Sequence, residues 1–243
     1  AEGQVRITYA DTGLGSDAAI SYWFDSAWGG DPAVPDRSGN GNTGNANGVD
    51  AVAAGPDGAI PGSPGTCGFA SVPLEGNITA PSGISNTSDS FTMSFWMRMP
   101  LGEQNSSYPL VVGIGSEEGS YAERGEIYAD LSSPDPQLVL TVQQGGSAGQ
   151  GAGNVRRRAI AWEPADGSTN NPFGNEWVHI AVTHDMDSRS LAIHANGSEV
   201  RQASYGDRGR DSLQDASGPI QIGGFSNGRY PASLDVDELL HST

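Results

Sequence analysis

Between Trp177 and His184 the side chains alternate, with Val178, Ile180 and Val182 on one face and Trp177, His179, Ala181 and Thr183 on the other. A two-residue repeat is the signature of a half-buried strand. The polar stretch Asp185 to Ser190 follows, and Leu191 to Ala195 runs back. Asn196-Gly197 is the dipeptide that best tolerates positive φ at both central positions of a type I′ hairpin. The pattern predicts an antiparallel meander over Glu176–Val200.

The same reading applies along the chain. Val5–Tyr9 alternates as a strand and is followed by a Gly-rich linker, Asp11–Asp17, so residues 1–17 read as an appendage. Ile20–Phe24 is the first strand of the main domain, residues 18–243. Residues 43–68 show little periodicity and are expected to be a long irregular connection with one short strand. Phe91–Met99 places Phe91, Met93, Phe95, Met97 and Met99 on one face, a row that supplies the apolar area a sheet must bury. Leu110–Ile114 and Glu126–Leu131 are expected to pair, Gln137–Val142 and Val155–Trp162 follow, and Ile220–Gly223 and Leu234–Leu240 close the fold. Short apolar runs broken by Gly, Asn, Ser, Asp and Pro point to an all-β chain.

Composition narrows the function classes. The net charge is −17 and all 12 basic residues are arginine. A field of that sign repels phosphate backbones and anionic membranes, which argues against nucleic acid as a partner. No apolar run is long enough to span a membrane. Cys67 is the only cysteine, so no disulfide forms within the chain. The start at Ala1-Glu2 fits an exported chain after signal-peptide removal, and Asn77, Asn86, Asn105 and Asn196 head glycosylation sequons, which together suggest secretion or a cell-surface location. Arg156-Arg157-Arg158, the one basic run, reads as a solvated loop or strand edge.

A set of motifs in fixed order carries a family resemblance: Tyr22-Trp23-Phe24-Asp25, Asp36-x-Ser38-Gly39-Asn40-Gly41-Asn42, Phe91-Thr92-x-Ser94-Phe95-Trp96, Trp177-Val178-His179-Ile180-Ala181-Val182-Thr183, Leu191-x-Ile193-x-x-Asn196-Gly197, Ile220-x-Ile222-Gly223 and Asp235-x-Asp237-Glu238-Leu239. The chain resembles the LamG-like jelly rolls of the concanavalin A-like lectin/glucanase superfamily over about residues 18–243. The resemblance implies a two-sheet antiparallel β-sandwich with the first and last strands adjacent. It implies lectin, adhesion or glycan-active functions without choosing among them.

Candidate chemistry follows from both readings. The resemblance implies a structural calcium where the first strand, the next loop and the last strand meet, with Asp25, Asp36, Asn42 and Asp237 as candidate ligands. The same Asp and Asn side chains equally suit Asx turns that bond their own backbone. Related glucanases place acids at alternate positions on one strand; here Glu126 and Asp130 share a face but Tyr128 stands between them, so the acid set is incomplete and no catalytic residue is assigned. The pair is read instead as a solvent-facing strand edge.

Trp28, Tyr121, Trp162, Phe173 and Tyr230 lie in polar or Gly-rich stretches, where a large ring is least explained by the core, and are the candidate glycan contacts. Val5, Ile7 and Tyr9 are candidate assembly residues if the N-terminal strand adds to a neighbouring subunit's sheet. The sequence therefore favours an exported, non-catalytic domain whose partner is a glycan or a cell-surface protein. A filament subunit is the alternative, and a polysaccharide-active hydrolase or lyase the third.

Overall fold

The computed structural model describes residues 18–24, 28–30, 32–52, 68–84, 89–115, 117–118, 121–122, 124–144, 156–165, 171–206, 213 and 218–242. In chain order the strands are β1 (Ala18–Tyr22), β2 (Ala33–Val34), β3 (Gly44–Asn47), β4 (Asp50–Val52), β5 (Phe69–Val72), β6 (Asn77–Thr79), β7 (Phe91–Arg98), β8 (Leu110–Ile114) and β9 (Glu117–Glu118). They continue with β10 (Tyr121–Ala122), β11 (Gly125–Asp130), β12 (Gln137–Gln144), β13 (Arg156–Trp162), β14 (Val178–Asp185), β15 (Ser190–Ala195), β16 (Ser198–Ser204), β17 (Ile220–Ile222) and β18 (Leu234–Ser242).

Two eight-stranded antiparallel sheets result. The first runs β16-β15-β14-β7-β18-β5-β4, with β1 also on β18, and the second runs β13-β12-β11-β8-β17-β6-β3-β2. The meander is β14-β15-β16, with Asn196 at φ 49° and Gly197 at φ 79° in its second turn. β8 and β11 pair as the sequence predicts. The connection expected over 43–68 differs: β3 and β4 both form within it and pair with different sheets. Their residues, Gly-Asn-Ala-Asn and Asp-Ala-Val, are too few and too short to carry a hydrophobic period, so neighbouring strands specify them.

The core lies between the sheets. Phe91, Met93, Phe95 and Met97 of β7 face Ile127, Leu138, Leu140 and Val142 of the second sheet's inner side, all nearly inaccessible. Full burial of each such side chain stabilises by roughly 1.5–3 kcal/mol. Gly44 is set by close packing: a Cβ there would stand 2.9 Å from the Tyr22 ring. Tyr22 needs that space because its hydroxyl donates to the Asn42 carbonyl at 2.7 Å.

One end of the core is polar. The His184 Nδ1 lies 2.7 Å from the Asp89 carbonyl and Nε2 lies 2.6 Å from the Tyr205 hydroxyl. A carbonyl only accepts, so Nδ1 carries the proton and the tyrosine donates to Nε2. Asp89 Oδ1 accepts from Leu213 N–H at 2.9 Å and pairs with Arg124 at 3.4 Å. The Phe91 ring stands between His184 at 5.8 Å and His241 at 6.0 Å. Among the described residues both buried ring nitrogens of His241 have no partner.

Candidate functional site

Alternation in β12 puts Leu138, Leu140 and Val142 in the core and turns Val139, Thr141 and Gln143 to the outer face of the second sheet. Pairing then assembles one row across six strands: Thr79, Gln221, Gly113, Glu126, Thr141 and Ala159. On the next rows Gln143 stands opposite Arg157, and Tyr128 opposite Val139. Outer-face polar residues are ordinarily solvated. Here Glu126 is 5%, Thr141 0%, Gln143 7% and Gln221 2% exposed, so these side chains are shielded from solvent. Gly113 stands in this row between Glu126 and Gln221.

The polar groups are held in place. Arg157 donates to Glu126 Oε1 at 2.8 Å, and its guanidinium lies 5.5 Å from the Tyr128 ring centre. Desolvation pushes the Tyr128 hydroxyl above its ordinary pKa, against the opposing pull of Arg157. Gln221 donates to the Gly115 carbonyl at 3.3 Å and accepts from Ser226 N–H at 2.7 Å, which anchors the turn leading to Tyr230. Among the described residues the buried Thr141 Oγ1 has no hydrogen-bond partner. A buried hydroxyl left unmatched costs about 1–3 kcal/mol.

An aromatic rim borders this floor. Tyr128 and Tyr230 pack against Leu110 and Phe225. Tyr108 meets Tyr128 at 6.2 Å and 70°, and Phe225 meets Tyr230 at 6.1 Å and 71°. Tyr230 adopts φ 51°, and its carbonyl accepts from Leu110 N–H at 2.9 Å. Non-glycine residues reach that region at a cost of order 1–3 kcal/mol, and such strain concentrates at functional sites. Aromatic faces beside planar polar groups suit the C–H and hydroxyl surfaces of a sugar.

The structure redistributes the candidates read from the sequence. Tyr230 stands at this rim. Trp28, Trp162 and Phe173 instead belong to the core, with Trp28 packed edge-on against Phe24 at 5.3 Å, so their rings are explained by packing and not by a ligand. The Tyr121 side chain lies outside the described residues, as do Asp25 and the assembly segment with Val5, Ile7 and Tyr9. Of the sheet edges, β16 is exposed on both faces and carries Glu199 and Arg201, charges that discourage an added strand. The reading of Glu126 as a solvent-facing edge is corrected, because β11 is interior, between β8 and β12, and the carboxylate is buried. Asp130 lies four residues along the same strand, about 13 Å away by strand rise, and its Oδ1 takes Ser132 N–H and Oγ–H at 3.0 and 2.6 Å.

At the junction proposed for calcium, Asp36 accepts from Ser21 N–H at 3.0 Å, Ser38 N–H at 2.9 Å, Ser38 Oγ–H at 2.8 Å and Asn42 N–H at 2.9 Å. Asn42 Nδ2 donates to the Ala19 carbonyl at 2.8 Å, and Asp237 Oδ1 accepts from Phe24 and Glu238 N–H at 3.0 and 2.8 Å. Protein donors thus fill both oxygens of Asp36, which does not fit a calcium ligand in this arrangement. Among the described residues no group of three or more His, Cys, Asp or Glu is placed to hold a metal. Melting curves with and without excess chelator are expected to superimpose; a lower Tm under chelation would restore calcium to this junction.

Sequence reasoning passed over Thr141, Gln143, Arg157, Gly113 and Gln221. The alternation of Gln137–Gln144 marks which face Thr141 and Gln143 share, but nothing local tells which distant strands complete the floor.

A profile of the concanavalin A-like lectin/glucanases superfamily matches residues 74–240. No curated protein matches the sequence significantly. Among solved structures, a botulinum neurotoxin type G receptor binding domain superposes with a TM-score of 0.60 at 17% identity, covering 93% of this chain and 48% of its own. A botulinum neurotoxin serotype D ligand binding domain in complex with N-acetylneuraminic acid gives 0.59 at 11% identity, covering 94% and 48%. The chain therefore spans about half the length of these structures, and the likeness is one of fold.

Proposed function

We propose that this chain, which belongs to the concanavalin A-like lectin/glucanases superfamily, is a carbohydrate-binding, lectin-like domain that holds its ligand on the outer face of the second sheet. The observation that carries this reading is the tyrosine rim of Tyr108, Tyr128 and Tyr230, standing beside the Arg157–Glu126 pair on that face. The tyrosine rim and the Arg157–Glu126 pair supply the stacking surface and planar hydrogen-bonding groups that sugar rings require. The solved neighbours add weight, since one of them was captured with a sialic acid. In this proposal the Glu126 carboxylate, engaged by Arg157 at 2.8 Å, serves to bind rather than to hydrolyse. In the same proposal the domain works outside the cell, in attachment to glycan-bearing surfaces; fractionation of the native source that finds it in the cytoplasm would end that part.

A glycan array identifies the ligand, and titration calorimetry tests the face. Tyr108→Ala removes an exposed ring of the rim, so the fold is expected to stay intact while glycan affinity falls about 5- to 10-fold. Tyr128→Ala is expected to weaken binding tenfold or more. Undiminished affinity in both variants would remove the site from this face.

A further inference from the structure

The outer face of the first sheet carries a second constellation, on the opposite side of the sandwich. Ser71, Asp235 and Arg98 stand side by side on β5, β18 and β7. Arg98 Nε donates to Asp235 Oδ2 at 2.6 Å, and the guanidinium lies 5.2 Å from the Phe69 ring centre and 5.0 Å from that of Trp177. Those two rings meet edge to face at 5.2 Å and 71°. Two aromatic faces and one ion pair fix the guanidinium plane. Among the described residues its Nη groups have no partner, and the Trp177 Nε1 is buried without an acceptor.

Beside this cluster opens a cleft of about 260 Å³ lined by Ser71, Arg98, Glu103, Asn175, Ser233 and Asp235. Its walls are tied together. Gln104 donates to the Pro100 and Ser233 carbonyls at 3.0 and 2.7 Å and accepts from Ser233 N–H at 3.1 Å, while Ser233 Oγ–H donates to Glu103 at 2.8 Å. One arginine faces two carboxylates, so the lining has a net charge that disfavours an anion. It offers unfilled donors on Arg98 and Asn175 together with unfilled acceptors on Asp235 and Asn175, and a hydroxyl both donates and accepts. At roughly 30 Å³ per water the cleft corresponds to eight or nine waters, the room a single pyranose ring occupies.

We propose that this cleft is a second saccharide subsite, taking one neutral sugar ring, so that the domain presents a binding surface on each face. The proposal stands on its own residues and survives or fails apart from the first site. The test is an amide and indole NMR titration of the whole chain with methyl α-glucopyranoside, methyl β-galactopyranoside and methyl α-mannopyranoside, with the Trp177 indole signal assigned through Trp177→Phe. The expected result is a saturable shift of that signal with at least one of these sugars, retained in Tyr128→Ala and weakened about 5- to 10-fold in Asn175→Ala, an exposed position whose loss leaves the fold intact. No saturable shift with any of the three sugars overturns the proposal. A shift abolished by Tyr128→Ala, or one indifferent to Asn175→Ala, overturns it equally.

Discussion

Replacing Asp36 with alanine is expected to lower Tm by roughly 6–12 °C. The carboxylate joins β1 to the loop after it through four hydrogen bonds, three of them from backbone N–H groups of Ser21, Ser38 and Asn42. Bonds to a charged acceptor are worth about 1.5–3 kcal/mol each, but the group is partly exposed and the four are not additive, so a net loss of about 3 kcal/mol is the reasonable figure. For a chain of this size each kcal/mol moves Tm by about 2–4 °C. Burial alone would raise the pKa of this group, yet the Ser38, Ser21 and Asn42 donors prevail and hold it below the ordinary carboxylate value. Because the folded pKa is depressed, the contribution is present above the unfolded carboxylate pKa and is lost as pH falls through the folded one. Asp36→Asn, which keeps one acceptor oxygen, should fall between wild type and alanine in thermal melts at neutral pH. An unchanged Tm for Asp36→Ala would show that the loop is held by something else.

The second large effect is acid sensitivity centred on His241. Burial drives its pKa from 6.5 to about 4, with Arg124 adding to the depression, and burial also lowers that of His184. A depressed histidine stays neutral in the fold while the unfolded chain takes up a proton. Above pH 6.5 both states are neutral and the group is silent. Below that, stability declines by up to about 1.4 kcal/mol per pH unit, until the folded group also protonates near pH 4. The total is of order 3 kcal/mol from His241, with His184 adding in the same direction. Asp89 facing His184 and Arg124 facing His241 modulate the window. His241→Leu should therefore raise Tm at neutral pH, by removing two unmatched nitrogens, and should flatten the fall in Tm between pH 6.5 and 4. A variant melting with the same acid slope as wild type would place the sensitivity elsewhere.

These two groups show what the sequence made legible. Asp36 was visible in advance because Asp-x-Ser-Gly-Asn-Gly-Asn is local turn chemistry, and both expected roles for it, Asx turns or cation ligand, drew on the same side-chain oxygens. The meander, the β7 row and the pairing of β8 with β11 were legible for a like reason, since period-2 alternation survives in a single strand. His241 was not, because its isolation depends on Phe91 and Arg124 arriving from elsewhere in the chain. The outer face of the second sheet is the same case. Each strand contributes one or two polar residues, and only the β6-β17-β8-β11-β12-β13 register makes them neighbours. Trp28 and Trp162 misled because composition around a ring says little about where the ring turns, and both turn inward.

β18 sits in the middle of the first sheet, with β7 on one side and β5 and β1 on the other. It is also the last of the described strands to be synthesised. While the ribosome is still making it, β7 and β5 have no partner between them, and Ile20 waits for His241 across more than two hundred residues. Nascent chains therefore hold two half-sheets with facing open edges, a state prone to pairing with other chains. Insertion of Leu234–Ser242 between β7 and β5 covers both of those edges at once.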